Sequence, residues 1–178
     1  MAFKHGSLAG FLFLASVAGA AAFDLKSSDI APGAKISDKF VFKGFGCEGG
    51  NVSPALEWSG APEGTKGFAL MVHDPDAPTG GAGFWHWVVI DIPTDVSSLK
   101  QGGPVPAGAK EIATDFGVPG YGGPCPPKGD QPHHYNFTIY ALKVAKLDLP
   151  STATASLTGF MVNANALAKA TLTGTFGR

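Results

Sequence analysis

Residues 66–75 read KGFALMVHDP, and residues 84–93 read FWHWVVIDIP. Each is a nearly continuous apolar run, and a proline stops each one, Pro75 in the first and Pro93 in the second. Proline has no amide proton, so it ends a strand that is bonded to neighbours on both sides. Runs of this length without alternation suit central strands that are buried on both faces. The longest strand signal comes later, HHYNFTIYALK at residues 133–143. Elsewhere the chain is rich in turns. Its 25 Gly and 14 Pro are spread throughout, while apolar content stays at 44%. That combination predicts short strands joined by turns rather than disorder.

Weaker signals fill in the frame. A strand is expected near Phe40 to Phe42, followed by a Gly-rich loop ending in Asn51, Ser53 and Pro54. PALEWSG gives a short strand, and Ala109 to Gly117 a weak one. Residues 117–132, GVPGYGGPCPPKGDQP, hold five prolines and five glycines, which excludes a regular element. A loop of that length in a compact domain is usually functional. Near the end, Leu157, Phe160, Met161, Ala164, Leu167 and Ala168 recur at helical spacing, with Ser151 or Thr152 as the cap. The expected fold is mostly β: a two-sheet antiparallel β-sandwich with a C-terminal helix.

The 178 residues suit one domain, and a formal charge of -1 argues against a nucleic-acid partner. The first stretch reads as a signal peptide, residues 1–22. Lys4 gives a basic start, an apolar run follows from Leu8 to Ala18, and Ala20, Ala21 and Ala22 close it. Cleavage is placed after Ala22, leaving a domain of residues 23–178. The alternative is an uncleaved anchor, but the run is shorter than the roughly 20 residues a span requires. No later segment approaches a membrane span, so the mature protein is expected to be periplasmic or secreted. Cys47 and Cys125 are the only cysteines. In an oxidising compartment they can close a long loop, the alternative being two separate buried thiols. Neither sits at zinc-site spacing, and no metal or other cofactor is expected.

Residues 72–87, VHDPDAPTGGAGFWHW, crowd acids, imidazoles and aromatic rings together. Alternation along 133–140 puts His133, Tyr135, Phe137 and Ile139 on one face, and His134, Asn136, Thr138 and Tyr140 on the other. The first set is the more apolar, so His133 should point inward and His134 outward. The same rule puts His86 on a face with Phe84, Val88 and Ile90. Two inward histidines at strand starts, joined by Asp74 and Asp76 around Pro75, could line one pocket. The plainer alternatives are satisfied core histidines and an aspartate that only caps its turn. No metal or hydrolase spacing is present, and nothing marks Ser53 as a nucleophile. The residues alone give a small polar pocket walled by aromatics, whose histidines can donate to an anion, most strongly when protonated.

DPDAP, FWHWVVIDIP, GYGGPCPPKGD and HHYNFTIYAL, in that order, closely resemble the phosphatidylethanolamine-binding protein family. The bacterial Raf-kinase-inhibitor-like branch is the nearer match, and GFGCEGGNVSPALEWSGAP and LTGTFGR fit it too. The resemblance implies a β-sandwich with an anion pocket at one end. It assigns ligand binding to Asp74, Asp76, Pro78, His86, Gly129, His133 and Tyr135. His134 stands where the family motif usually has arginine, and that position should face away from the pocket. The expected partners are a small anionic ligand or phospholipid headgroup and a protein target, a kinase or protease that the chain would inhibit. A homodimer is left open. Two further readings compete: a hydrolase using Asp74, Asp76, His86 and His133, and an interaction module with a vestigial pocket.

Overall fold

A computed structural model describes Met1 and residues 22–178. The predicted signal peptide, apart from its ends, lies outside the described residues. Three strands dominate the molecule: β5 (Gly67–Asp74), β6 (Phe84–Ile92) and β9 (His133–Leu142), the three that the apolar runs predict. With β8 (Lys110–Glu111) and β10 (Ala166–Phe176) they form one antiparallel sheet of order β10-β9-β5-β6-β8. A second sheet, β1-β4-β7, is built from Asp24–Lys26, Leu56–Ser59 and Ser98–Leu99. A small hairpin joins β2 (Lys43–Gly44) to β3 (Cys47–Glu48).

β5 is hydrogen-bonded on both sides, to β6 and to β9. Both of its faces are also covered, so its run carries no polar alternation. On one face Leu70, Val72, Val89, Phe137 and Ile139 pack with Leu25, Leu56 and Trp58 of the smaller sheet. On the other, Met71, Val88, Ile90 and Leu142 pack with Ala155 and Val162 of helix α1 (Ala155–Asn165). The result is the expected antiparallel sandwich with a late helix.

Four local expectations fail. Residues 38–40 form a 3-10 turn, not a strand, because Ser37 Oγ caps it by accepting from the Lys39 amide. The helix cap is Thr154, whose Oγ1 accepts from Leu157 N at 3.1 Å, not Ser151 or Thr152. The helix also buries its other face: Ala155, Thr158, Gly159 and Val162 face inward while Leu157 and Phe160 are exposed. The reason is close approach. A Cβ added at Gly159 would lie 3.3 Å from Met71 and 3.7 Å from Trp85, so only small residues fit against the sheet. Leu167 and Ala168 are not helical at all, because the chain enters β10 at Ala166.

Cys47 and Cys125 are bonded, with Cα atoms 6.0 Å apart. The bond ties the β2–β3 hairpin to the Pro-rich loop. That loop is irregular, as its composition requires, and it runs along the ends of β5, β6 and β9.

Candidate functional site

β5 ends at Asp74, and β9 begins at His133. Their side chains meet there: His133 Nδ1 donates to Asp74 Oδ2 at 2.8 Å, with both groups buried. The other oxygen, Asp74 Oδ1, accepts from the amides of Asp76 (2.8 Å) and Ala77 (3.1 Å). Asp74 therefore caps its turn, as a lone aspartate would, and also orients an imidazole.

His86 reaches the same place by a different device. Val72 pairs with Trp87 and His73 with Trp85, so β6 carries one extra residue there, and that residue is His86. A β-bulge of this kind re-aims a side chain. Strict alternation, which grouped His86 with Val88 and Ile90, is thereby broken. Val88 and Ile90 face the helix, whereas His86 packs edge-on to Tyr135 at 5.1 Å, with Phe84 on the same side.

His86 Nδ1 bonds the carbonyl of Gly122 at 2.8 Å. A carbonyl only accepts, so the ring proton sits on Nδ1 and Nε2 is left with its lone pair. Burial lowers the pKa of His86 to about 4, against the bonds to Gly122 and the charge of Asp74, which raise it. His86 is thus neutral near pH 7. It is an acceptor at Nε2, not the cationic donor that the residue pattern suggested.

A cavity of about 240 Å³ opens here. Its polar floor is Asp74, His86, His133 and Tyr135. The Tyr135 hydroxyl is buried beside the Asp74 carboxylate and makes no hydrogen bond of ordinary geometry among the described residues. Burial first, then the Asp74 charge, push its pKa upward, so the phenol keeps its proton and is a donor in waiting. Pro78 also lines the cavity.

Asp76 and Gly129 are not among the lining residues. Asp76 Oδ2 accepts from the His134 amide (2.7 Å) and lies 2.8 Å from His134 Nδ1. The amide bond foremost holds the Asp76 carboxyl below its ordinary range. His134 is exposed, on the outward face as expected. Gly129 donates its amide to the carbonyl of Arg178 at 3.2 Å. Ser53 is buried but does not line the cavity.

Several contributors carry no mark in the sequence. Asp130 Oδ2 lies 3.5 Å from His133 Nε2, three residues back in the chain. Asn51 spans the loop that grips His86, donating to Tyr121 O at 3.2 Å and accepting from Gly123 N at 2.8 Å. Phe45, Phe84, Phe116, Pro126 and Pro127 wall the cavity.

A buried acid–imidazole pair, a neutral histidine and an unpartnered phenol at the end of a β-sandwich define a receptacle for a small polar ligand. The phosphatidylethanolamine-binding protein family model matches residues 26–177, and the chain belongs to that family. YbcL of Escherichia coli K12 is 50% identical over 167 residues, 90% of this chain and 91% of its own. The crystal structure of E. coli YbcL superposes with a TM-score of 0.85 at 49% identity, covering 89% of this chain and 99% of that one. YbhB of the same organism is 43% identical over 157 residues, 85% of this chain and 98% of its own. LppC of Mycobacterium tuberculosis H37Rv, whose name includes the word lipoprotein, is 44% identical over 132 residues, 74% of this chain and 63% of its own.

Proposed function

We propose that this chain is an exported binding protein whose cavity takes a small phosphate monoester, the free phospholipid headgroup phosphoethanolamine included, in the singly protonated form. One observation carries the reading. The floor pairs an acceptor, His86 Nε2, with a donor, the Tyr135 hydroxyl, and no Lys or Arg among the described residues lines the cavity. A dianion would meet the Asp74 carboxylate without a permanent cation beside it. At an effective dielectric of 20 that contact costs about 4 kcal/mol. A monoanion lowers the repulsion and supplies a P–OH for His86, while its other oxygens accept from Tyr135.

The test is calorimetric titration with phosphoethanolamine across pH. The second phosphate pKa is about 6, so affinity should fall roughly 50-fold from pH 6 to pH 8. A flat profile would reject the monoanion, and no binding at any pH would reject the headgroup.

Binding rather than turnover is proposed because the cavity's threonine and cysteine are engaged, while burial keeps its one free hydroxyl, that of Tyr135, protonated. Thr79 Oγ1 donates to Gly83 O at 2.9 Å, and Cys125 is in the disulfide. Turnover of chromogenic esters or phosphates that is lost in His86→Ala would establish a hydrolase instead. Export is supported by the disulfide, by the N-terminal sequence pattern and by the lipoprotein name of LppC. Native mass spectrometry of the exported protein reads cleavage after Ala22, bound ligand and stoichiometry together. Inhibition of a kinase or protease rests on family kinship alone, and kinship of fold does not fix a target.

A further inference from the structure

The β2–β3 hairpin turns through Phe45 and Gly46, at φ 51° and 77°. A two-residue hairpin turn with positive φ at both positions is the natural place for Asn-Gly. A bulky residue with a Cβ is disfavoured there. Burial does not compensate, since the residue is 71% exposed. Neither turn preference nor core packing accounts for phenylalanine at this point.

Its surroundings do. Phe45 lines the cavity and stacks on Phe116, with centroids 5.9 Å apart and planes 13° from parallel. Phe116 is itself seated: a Cβ on Gly122 would lie 2.1 Å from its ring, so the ring rests on bare backbone. The hairpin tip is held from two directions. Cys47 bonds it to Cys125. The Arg178 guanidinium donates to Gly46 O (2.7 Å) and Phe45 O (3.2 Å), and its Nε donates to Pro126 O (2.6 Å). A disfavoured backbone persists only where its neighbours over-determine it, and such sites cluster at ligand clamps.

We propose that Phe45 is a fixed aromatic platform at the cavity mouth for an apolar group joined to the polar head, so that the ligand is an aryl or alkyl phosphate monoester rather than a free inorganic anion. This rests on the headgroup reading above and adds the second half of the ligand to it.

The experiment compares inorganic phosphate, phenyl phosphate and butyl phosphate by calorimetry at pH 6, on the wild type and on Phe45→Asn and Phe45→Trp, alongside thermal melts. The wild type should prefer phenyl or butyl phosphate over inorganic phosphate by about tenfold. Phe45→Asn should lose most of that preference and melt at a higher temperature because Asn suits the turn. Phe45→Trp should keep the preference. A gain shared by butyl phosphate assigns the platform to alkyl chains, and a gain confined to phenyl phosphate assigns it to planar rings; both support the proposal. If inorganic phosphate binds with no preference for the esters, or the preference survives Phe45→Asn, the platform is overturned and the headgroup reading stands. A lower melting point in Phe45→Asn makes the ring a packing element and overturns the platform as well. If none of the three probes binds, both readings fall.

Discussion

Asp74 serves His133 with one carboxylate oxygen and the turn after β5 with the other. A single buried group thus fixes both the imidazole and the loop that carries Pro78. Asp74→Ala removes all of these acceptors and leaves buried donors unpaired, for a loss of about 3 kcal/mol. Asp74→Asn keeps an oxygen for the turn and should lose only about half as much. Urea denaturation of the two variants separates the contributions. Equal losses would mean that the turn bonds contribute nothing.

The disulfide closes a loop of 78 residues. In the chain-entropy account such a loop is worth about 4.5 kcal/mol, and disulfides typically deliver about 2–4. The Cys47→Ala/Cys125→Ala double variant should therefore melt roughly 6–12 °C below the wild type, at about 3 °C per kcal/mol for a domain of this size. A shift under about 2 °C would show that the hairpin and the Pro-rich loop hold together without it.

Helix α1 gives a prediction that also shows where sequence reading stops. The apolar stripe in the sequence runs through Leu157 and Phe160, yet Phe160 is 69% exposed and Val162 is fully buried. Periodicity locates a helix but weighs bulk, whereas a helix pressed closely onto a sheet selects small residues for its inner face. Phe160→Ser should change stability by less than about 0.5 kcal/mol. Val162→Ala should lose about 2 kcal/mol. The reverse order in chemical denaturation would restore the stripe as the buried face.

The strands β5, β6 and β9 were legible because burial on both faces leaves an unbroken apolar run ended by proline or a turn. His133 and His134 were sorted correctly because β9 pairs in regular register with β5 through their inner stretches. His86 does point into the pocket as expected, but not on the face of Val88 and Ile90, because a bulge is one extra residue and leaves no mark on hydrophobicity. A second bulge recurs near Asp91, where Phe68 pairs with Ile92 but Leu70 with Val89. Asp91 there has φ 58°, and its Oδ1 accepts from Leu147 N at 2.9 Å. Asn51, Asp130 and Arg178 act through partners set by the tertiary fold, except for the short step from Asp130 to His133. No local pattern announces such contacts.

The bulge gives His86 a titration that stability should report. Its folded pKa is about 4, below an unfolded value near 6.5, chiefly because burial disfavours the charged ring. Between those values the unfolded chain binds more protons than the native one, so native stability rises with pH across that window. The contribution is fully present above about pH 6.5 and lost as pH falls toward about 4, for a total on the order of 3 kcal/mol. His86→Asn can still donate to Gly122 O through its amide but cannot titrate. Comparing urea midpoints at pH 7 and pH 4.5, the wild type should lose markedly more stability than His86→Asn. The carboxylates, Asp76 among them, contribute to both proteins alike and cancel in the difference. If the two proteins lose the same amount, His86 is not the neutral imidazole that its burial dictates, and its role as an acceptor for the ligand goes with it.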